Sequence, residues 1–206
     1  MSSGLLGFFR AIERLKRTPR TGWLDRGIPP AEAESVADHT LLTALIAWTL
    51  ALDDPTLDAD RVLKLAMVHD IAEAIVGDIP PYAPEDIPDG SEPDALRAFF
   101  SVRRTASPEA VVEKHAAEQA AAAELFSMLP EGVARQMGGL WHEYEARSTP
   151  EARFVKDVDR LEAFLQSRSY AKAHPEAPLG GFTDMALQAI EHPVLRAIRD
   201  RELGKL

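Results

Sequence analysis

Apolar residues in this chain recur with the period of an α-helix, and runs alternating with the period of a strand are missing. That pattern commits the chain to an all-α fold. Leu5, Phe8, Phe9, Ile12 and Leu15 mark a first amphipathic helix. Thr18 to Glu34 carries Pro19, Gly22, Gly27, Pro29 and Pro30 and is expected to be largely irregular. Ser35 reads as the N-cap of a helix from Val36 to about Leu52, ended by Asp53-Asp54-Pro55. Asp58 or Asp60 opens a further helical stretch that reaches Val76 and stops at Gly77. A loop with four prolines then runs from Asp78 to about Ser91; loops of this length often carry function, and this one is a candidate lid. Helices are expected over Pro108 to Leu129, Glu131 to Arg147 and Pro150 to about His174, followed by a C-terminal pair broken near His192-Pro193. No linker or repeat divides the chain, so 1–206 reads as one domain with its core at about 15–175.

With 206 residues, 46% hydrophobic and 27% charged, there is enough apolar material for a real core. The net charge of −10 argues against a nucleic-acid polymer or an anionic membrane as the main partner. The most apolar stretch, Leu41 to Leu52, is shorter than the ~18 residues of a membrane span. The first sixteen residues lack a basic region ahead of their apolar ones and read as part of the fold. The absence of cysteine removes disulfides, thiolate metal sites and cysteine nucleophiles, and fits a cytoplasmic protein.

The chemistry gathers in LKLAMVHDIAEAIVGDIPP, residues 63–81. His69 and Asp70 follow an apolar run, Glu73 falls four residues after His69, and Asp78 follows the Gly77 break. Glu73 shares the His69 face if the helix continues. Burying these groups without partners is expensive, and a divalent cation would remove that cost. The His-Asp pair alone is a weak signal and reads more readily as a solvated helix end. Further inward polar groups shift the balance. His39 shares a helix face with Leu42, Thr43 and Ile46. Asp157 and Asp159 flank the stripe of Phe154, Val158, Leu161 and Leu165, one on each shoulder, and helix geometry does not choose between them. Before residue 27, six basic residues face two acidic ones, an excess that could draw a small anion.

These segments resemble the HD superfamily of metal-dependent phosphohydrolases, and more narrowly the HD-domain 5′-deoxynucleotidases of the YfbR type. The resemblance is carried by LKRTPRTGW at 15–23, ESVADH at 34–39, LAMVHDIAEAIVGDIPP at 65–81, EKHAAEQAA at 113–121, LWHEYE at 140–145 and FVKDVDRLE at 154–162. It implies a single-domain HD-type helical bundle. It also implies that His39, His69, Asp70 and Asp159 hold a catalytic divalent cation, one of Mn, Co, Fe, Ni, Zn or Mg. Asp159 is preferred over Asp157 because the family's ligand comes three residues after a Lys and two before a Leu, as Lys156 and Leu161 do here. Glu73 would act on water beside that ion, and Asp78 would lie near the sugar. Glu73, Asp78 and the Ile79 carbonyl are implied as holders of a second ion. Arg20 and Trp23 are implied as contacts for phosphate and nucleoside, although the family places its Arg and Trp side by side.

The implied function is hydrolysis of deoxyribonucleoside 5′-monophosphates by a homodimeric enzyme. Two other readings stay open: an HD phosphohydrolase acting on a triphosphate, cyclic nucleotide or alarmone, and a non-catalytic helical interaction protein stabilised by its metal. Trp141 is expected to be a packing or dimer-interface aromatic. His174 and His192 are expected in surface turns, and no role is assigned to His115 or Glu118.

Overall fold

The computed structural model describes residues 2–205, and among these there is no strand, only an isolated bridge between Pro19 and Ser35. The helices are α1 (Ser2–Ile12), α2 (Thr21–Leu24), α3 (Val36–Ala51), α4 (Ala59–Val68), α5 (Glu73–Val76), α6 (Pro93–Ser101), α7 (Pro108–Ser127), α8 (Glu131–Ala146), α9 (Pro150–Ala173), α10 (Gly180–Ala189) and α11 (Pro193–Glu202). Short 3-10 turns cover Glu13–Arg17 and Pro84–Asp86. The expected starts are set by side chains. Ser35 and Asp38 form a capping box, while Asp58, Ser107 and Thr149 each accept a backbone N–H from three residues ahead. Pro108 and Pro150 sit at first helical positions, where a missing N–H costs nothing.

Helix α9 runs through the centre, packed against α3, α4, α8, α10 and α11. One core unites α3, α4 and α9 around Leu65, Val158, Leu161 and Phe164; a second unites α1, α5, α7 and α8 around Leu125, Phe126 and Trp141. Trp141 is thus buried packing within one chain, not an interface residue.

Three sequence expectations are corrected. The helix after Asp58 does not run to Val76. It ends at Val68, and the next residues are held by bonds three residues back, Ile71 to Val68 and Glu73 to Asp70. Glu73 therefore starts a new short helix and does not share a continuous face with His69. Helix α6 is an element the period did not announce. Leu96, Phe99 and Phe100 carry the pattern over nine residues only, with no capping side chain. Last, Leu42 does not point inward. Helix α3 is apolar all round, so its period cannot select a side. The small residues Thr43, Ala44, Ala47 and Ala51 are buried where neighbouring helices press close, and Leu41, Leu42, Leu45, Trp48 and Leu52 stay exposed.

Candidate metal and substrate site

Three buried stretches bring polar groups to one point. His39 comes from the first turns of α3, His69 and Asp70 from the end of α4, and Asp159 from the middle of α9. His39 Nε2 lies 3.0 Å from Asp159 Oδ1 and 3.8 Å from Asp70 Oδ2. The His39 and His69 rings stand 5.4 Å apart between centroids. The two candidate acids of α9 separate here. Asp159 faces this cluster, whereas Asp157 accepts the backbone N–H groups of Glu191 and His192 and pairs with Arg160.

His69 Nδ1 lies 2.7 Å from the Ala66 carbonyl. A carbonyl only accepts, so Nδ1 carries a proton and Nε2 is the nitrogen turned toward the cluster. That Nε2 is buried without a hydrogen-bond partner; Asp70 Oδ2 is 3.1 Å away but outside hydrogen-bond geometry. Glu73 Oε2 is also buried and unpartnered. Orphaned buried polar atoms of this kind are rare, and a divalent cation would satisfy them. The donor set is imidazole and carboxylate, and His39, His69 and Asp70 offer atoms within 4.8 Å of one another. These residues fit a divalent cation.

Electrostatics separate the acids. Burial would raise Asp70, but His69 and Arg20 hold it well below the usual carboxylate range. Burial likewise opposes ionisation of Asp159, and Lys156 and His39 overcome it. Glu73 goes the other way, pushed up by burial and by the charges of Asp70 and Asp78. Burial and Arg20 disfavour a charged His39, yet hydrogen bonds to Asp159 and Glu162 carry it to about 10. In the absence of a cation His39 therefore holds a proton on Nε2, which a metal would displace.

Arg20 lies 3.4 Å from both Asp70 and Asp78. Asp78 is fixed by the start of α2: Thr21 N–H donates to Oδ2 and Thr21 Oγ1 donates to its carbonyl, both at 2.6 Å. Gly77 makes this possible by taking φ 76°, which turns the chain sharply after α5. The Ile79 carbonyl accepts from Lys114 Nζ at 2.8 Å. Trp23 is 1% exposed; it stacks on Phe182, and its indole N–H donates to Glu34. It is a wall of the site, not a free surface. Arg20, Trp23, Asp70, Asp78, Ile79 and Lys114 border one cavity of about 660 Å³, within the size range of small-molecule sites.

The structure adds residues that the sequence did not single out. Lys156 Nζ donates to Asp159 Oδ2 at 2.7 Å and to the Tyr144 hydroxyl at 3.2 Å. Lys114 is paired with Glu118, and His115 lies 3.4 Å from Glu145. Glu34 and Glu162 are buried beside His39. Their signal was their place inside the motif segments at 34–39, 113–121, 140–145 and 154–162. His174 and His192 lie elsewhere, half-buried beside Glu32 and Asp54.

A helical domain bringing His, His-Asp and Asp from separate helices together at the edge of one cavity defines a candidate divalent-metal site. The chain belongs to the HD domain family, whose model matches residues 12–195. It is 36% identical over 190 residues to the 5′-deoxynucleotidase HDDC2 of Homo sapiens, covering 92% of this chain and 79% of the human protein. It is 36% identical over 200 residues to the 5′-deoxynucleotidase hdd1 of Schizosaccharomyces pombe, covering 95% of this chain and 86% of that protein. Among solved structures, it resembles the PH0347 protein from Pyrococcus horikoshii OT3 with a TM-score of 0.69 and 27% identity, covering 98% of this chain and 99% of that one.

Proposed function

We propose that this protein is a metal-dependent 5′-deoxynucleotidase that hydrolyses deoxyribonucleoside 5′-monophosphates to deoxynucleoside and phosphate. The observation that carries the reading is the convergence of His69, Asp70 and Asp159 on the wall of a cavity that also holds Arg20, Glu73 and Asp78, with His39 buried directly behind Asp70 and Asp159. Similarity to curated deoxynucleotidases over most of the chain supports the same substrate class. In this reading the four residues hold the first divalent cation. The cation supplies Lewis acidity toward a phosphate oxygen and toward the attacking water. Manganese, cobalt, iron, nickel and zinc suit a site of imidazole and carboxylate without sulfur, and magnesium suits its carboxylates alone.

The chain's own groups do the rest. Water attacks phosphorus, the bond to the 5′ oxygen breaks, and the leaving alkoxide takes up a proton. Glu73 is the group assigned to hold the water's proton, because its free Oε2 is buried and its basicity is raised. Arg20 and Lys156 line the cavity as cations against which charge on the phosphoryl oxygens is stabilised. Asp78, held by Thr21 and Arg20, is assigned to the sugar. Trp23 backs the nucleoside side as a buried wall. Glu73, Asp78 and the Ile79 carbonyl, which accepts from Lys114, would hold a second ion.

The reading includes a cytoplasmic homodimer. What supports the dimer is the stripe of Leu41, Leu45, Trp48 and Leu52, which share one exposed face of α3. Phosphate release from a panel of deoxy- and ribonucleoside mono- and triphosphates, cyclic nucleotides and an alarmone, with each metal in turn, tests the function. Preferential hydrolysis of deoxynucleoside monophosphates is expected. Turnover of another class alone, or of none with any metal, overturns it.

A further inference from the structure

We infer that Glu162 is the positioning residue of His39: it keeps the proton on Nδ1, so that Nε2 is the nitrogen turned toward His69, Asp70 and Asp159. The inference rests on the metal-binding reading above. His69 shows the principle within the same site. Helix α4 stops at Val68, which leaves the Ala66 carbonyl free of the helix ladder, and that carbonyl takes the Nδ1 proton of His69. His39 has no such partner. It lies inside α3, where backbone carbonyls are engaged by the helix's own hydrogen bonds. The facing helix α9 supplies the acceptor instead. Glu162 is 2% exposed and places Oε2 2.5 Å from His39 Nδ1.

Position along α9 makes this economical. Asp159 and Glu162 are three residues apart and share one face, so a single helix grips both nitrogens of the ring. One carboxylate faces the cluster and the other lies behind the ring. A competing arrangement exists, because Glu34, His39 and Glu162 offer atoms within 4.8 Å of one another and could be a cation site themselves. Two facts disfavour it. The indole N–H of Trp23 is aimed at Glu34, where a ligand oxygen would need to be free. A metal on Nδ1 would also leave Nε2 to serve Asp159 only as a donor, breaking the convergence with His69.

Cobalt(II) binding to the full chain tests the inference, read by titration and by the exchangeable, metal-shifted imidazole N–H resonances. Wild-type protein is expected to show two such resonances, from His39 and His69. Glu162→Leu is expected to weaken cobalt binding ~10–100-fold and to lose one resonance. Glu162→Gln, whose amide oxygen accepts the same proton, is expected to restore most of the affinity and both signals. If Glu162→Leu does not fold, Glu162→Asn, one methylene too short, takes its place. Unchanged affinity and both resonances in the leucine or asparagine variant overturn the inference while leaving the metal reading intact. Binding of a further ion that Glu34→Gln removes overturns it too, since Glu162 would then be a ligand. Wild-type protein that takes up no cation overturns both readings.

Discussion

Helix α9 carries two aspartates two residues apart that do different work, and alanine substitution should separate them. Asp157 is 5% exposed and accepts three hydrogen bonds: from Glu191 N–H at 2.7 Å, His192 N–H at 2.8 Å and Arg160 at 2.9 Å. The first two fix the chain where α11 begins. Asp157→Ala leaves two partly buried N–H groups unpaired and takes the carboxylate from Arg160, which keeps only the Ala189 carbonyl. At about 1 kcal/mol for each lost partner, the protein loses about 3 kcal/mol. For a chain of this size that lowers Tm by roughly 6–12 °C. Metal content and specific activity at low temperature should stay near wild type. Asp159→Ala should do the opposite. It removes the partner of His39 and Lys156 but also relieves repulsion with Asp70, so the metal-free Tm shifts less, while bound metal and turnover are lost. Metal analysis, phosphate release and calorimetry on both variants decide the matter. An Asp157→Ala protein of unchanged Tm that has lost its cation would refute the reasoning.

Three further outcomes are expected. His69→Ala should abolish metal uptake and phosphatase activity while keeping the helical circular dichroism spectrum, because the cores are built from other residues; full activity in chelator would contradict it. Burial and the nearby Glu162 raise Glu34 to about 7 from its ordinary 4.5, so the folded state binds this proton more tightly than the unfolded chain. Its contribution is present below about pH 4.5 and is lost as pH rises toward 7. Glu34→Gln should therefore flatten the fall in Tm across that window, and an unchanged slope would count against the assignment. Trp48→Glu, on the exposed stripe of α3, should yield a monomer by analytical ultracentrifugation with metal content unchanged, and a persisting dimer would place the interface elsewhere.

Local physics made much of this protein legible from its sequence. Caps at Ser35, Asp58, Ser107 and Thr149, and prolines at helix starts, act within four residues, so the starts of the long helices α3, α4, α7 and α9 follow from the chain alone. His69, Asp70, Glu73 and Asp78 were readable because polar groups spaced along an apolar run stand out. What the sequence could not decide were the choices that depend on a partner surface. The inward face of α3 is one, because a helix apolar on every side buries whichever face its neighbours can approach most closely, here the alanines. The division of labour between Asp157 and Asp159 is another as far as helix geometry goes, the preference for Asp159 having come from the family's Lys and Leu spacing alone. Both flank the apolar stripe equally, and the positions of His39 on one side and of the Glu191–His192 backbone on the other give each its physical role. Glu34, Lys114 and Glu162 stayed silent for the same reason. Each acquires its role from a group on a distant helix or loop, and contacts of that range are made by the tertiary fold.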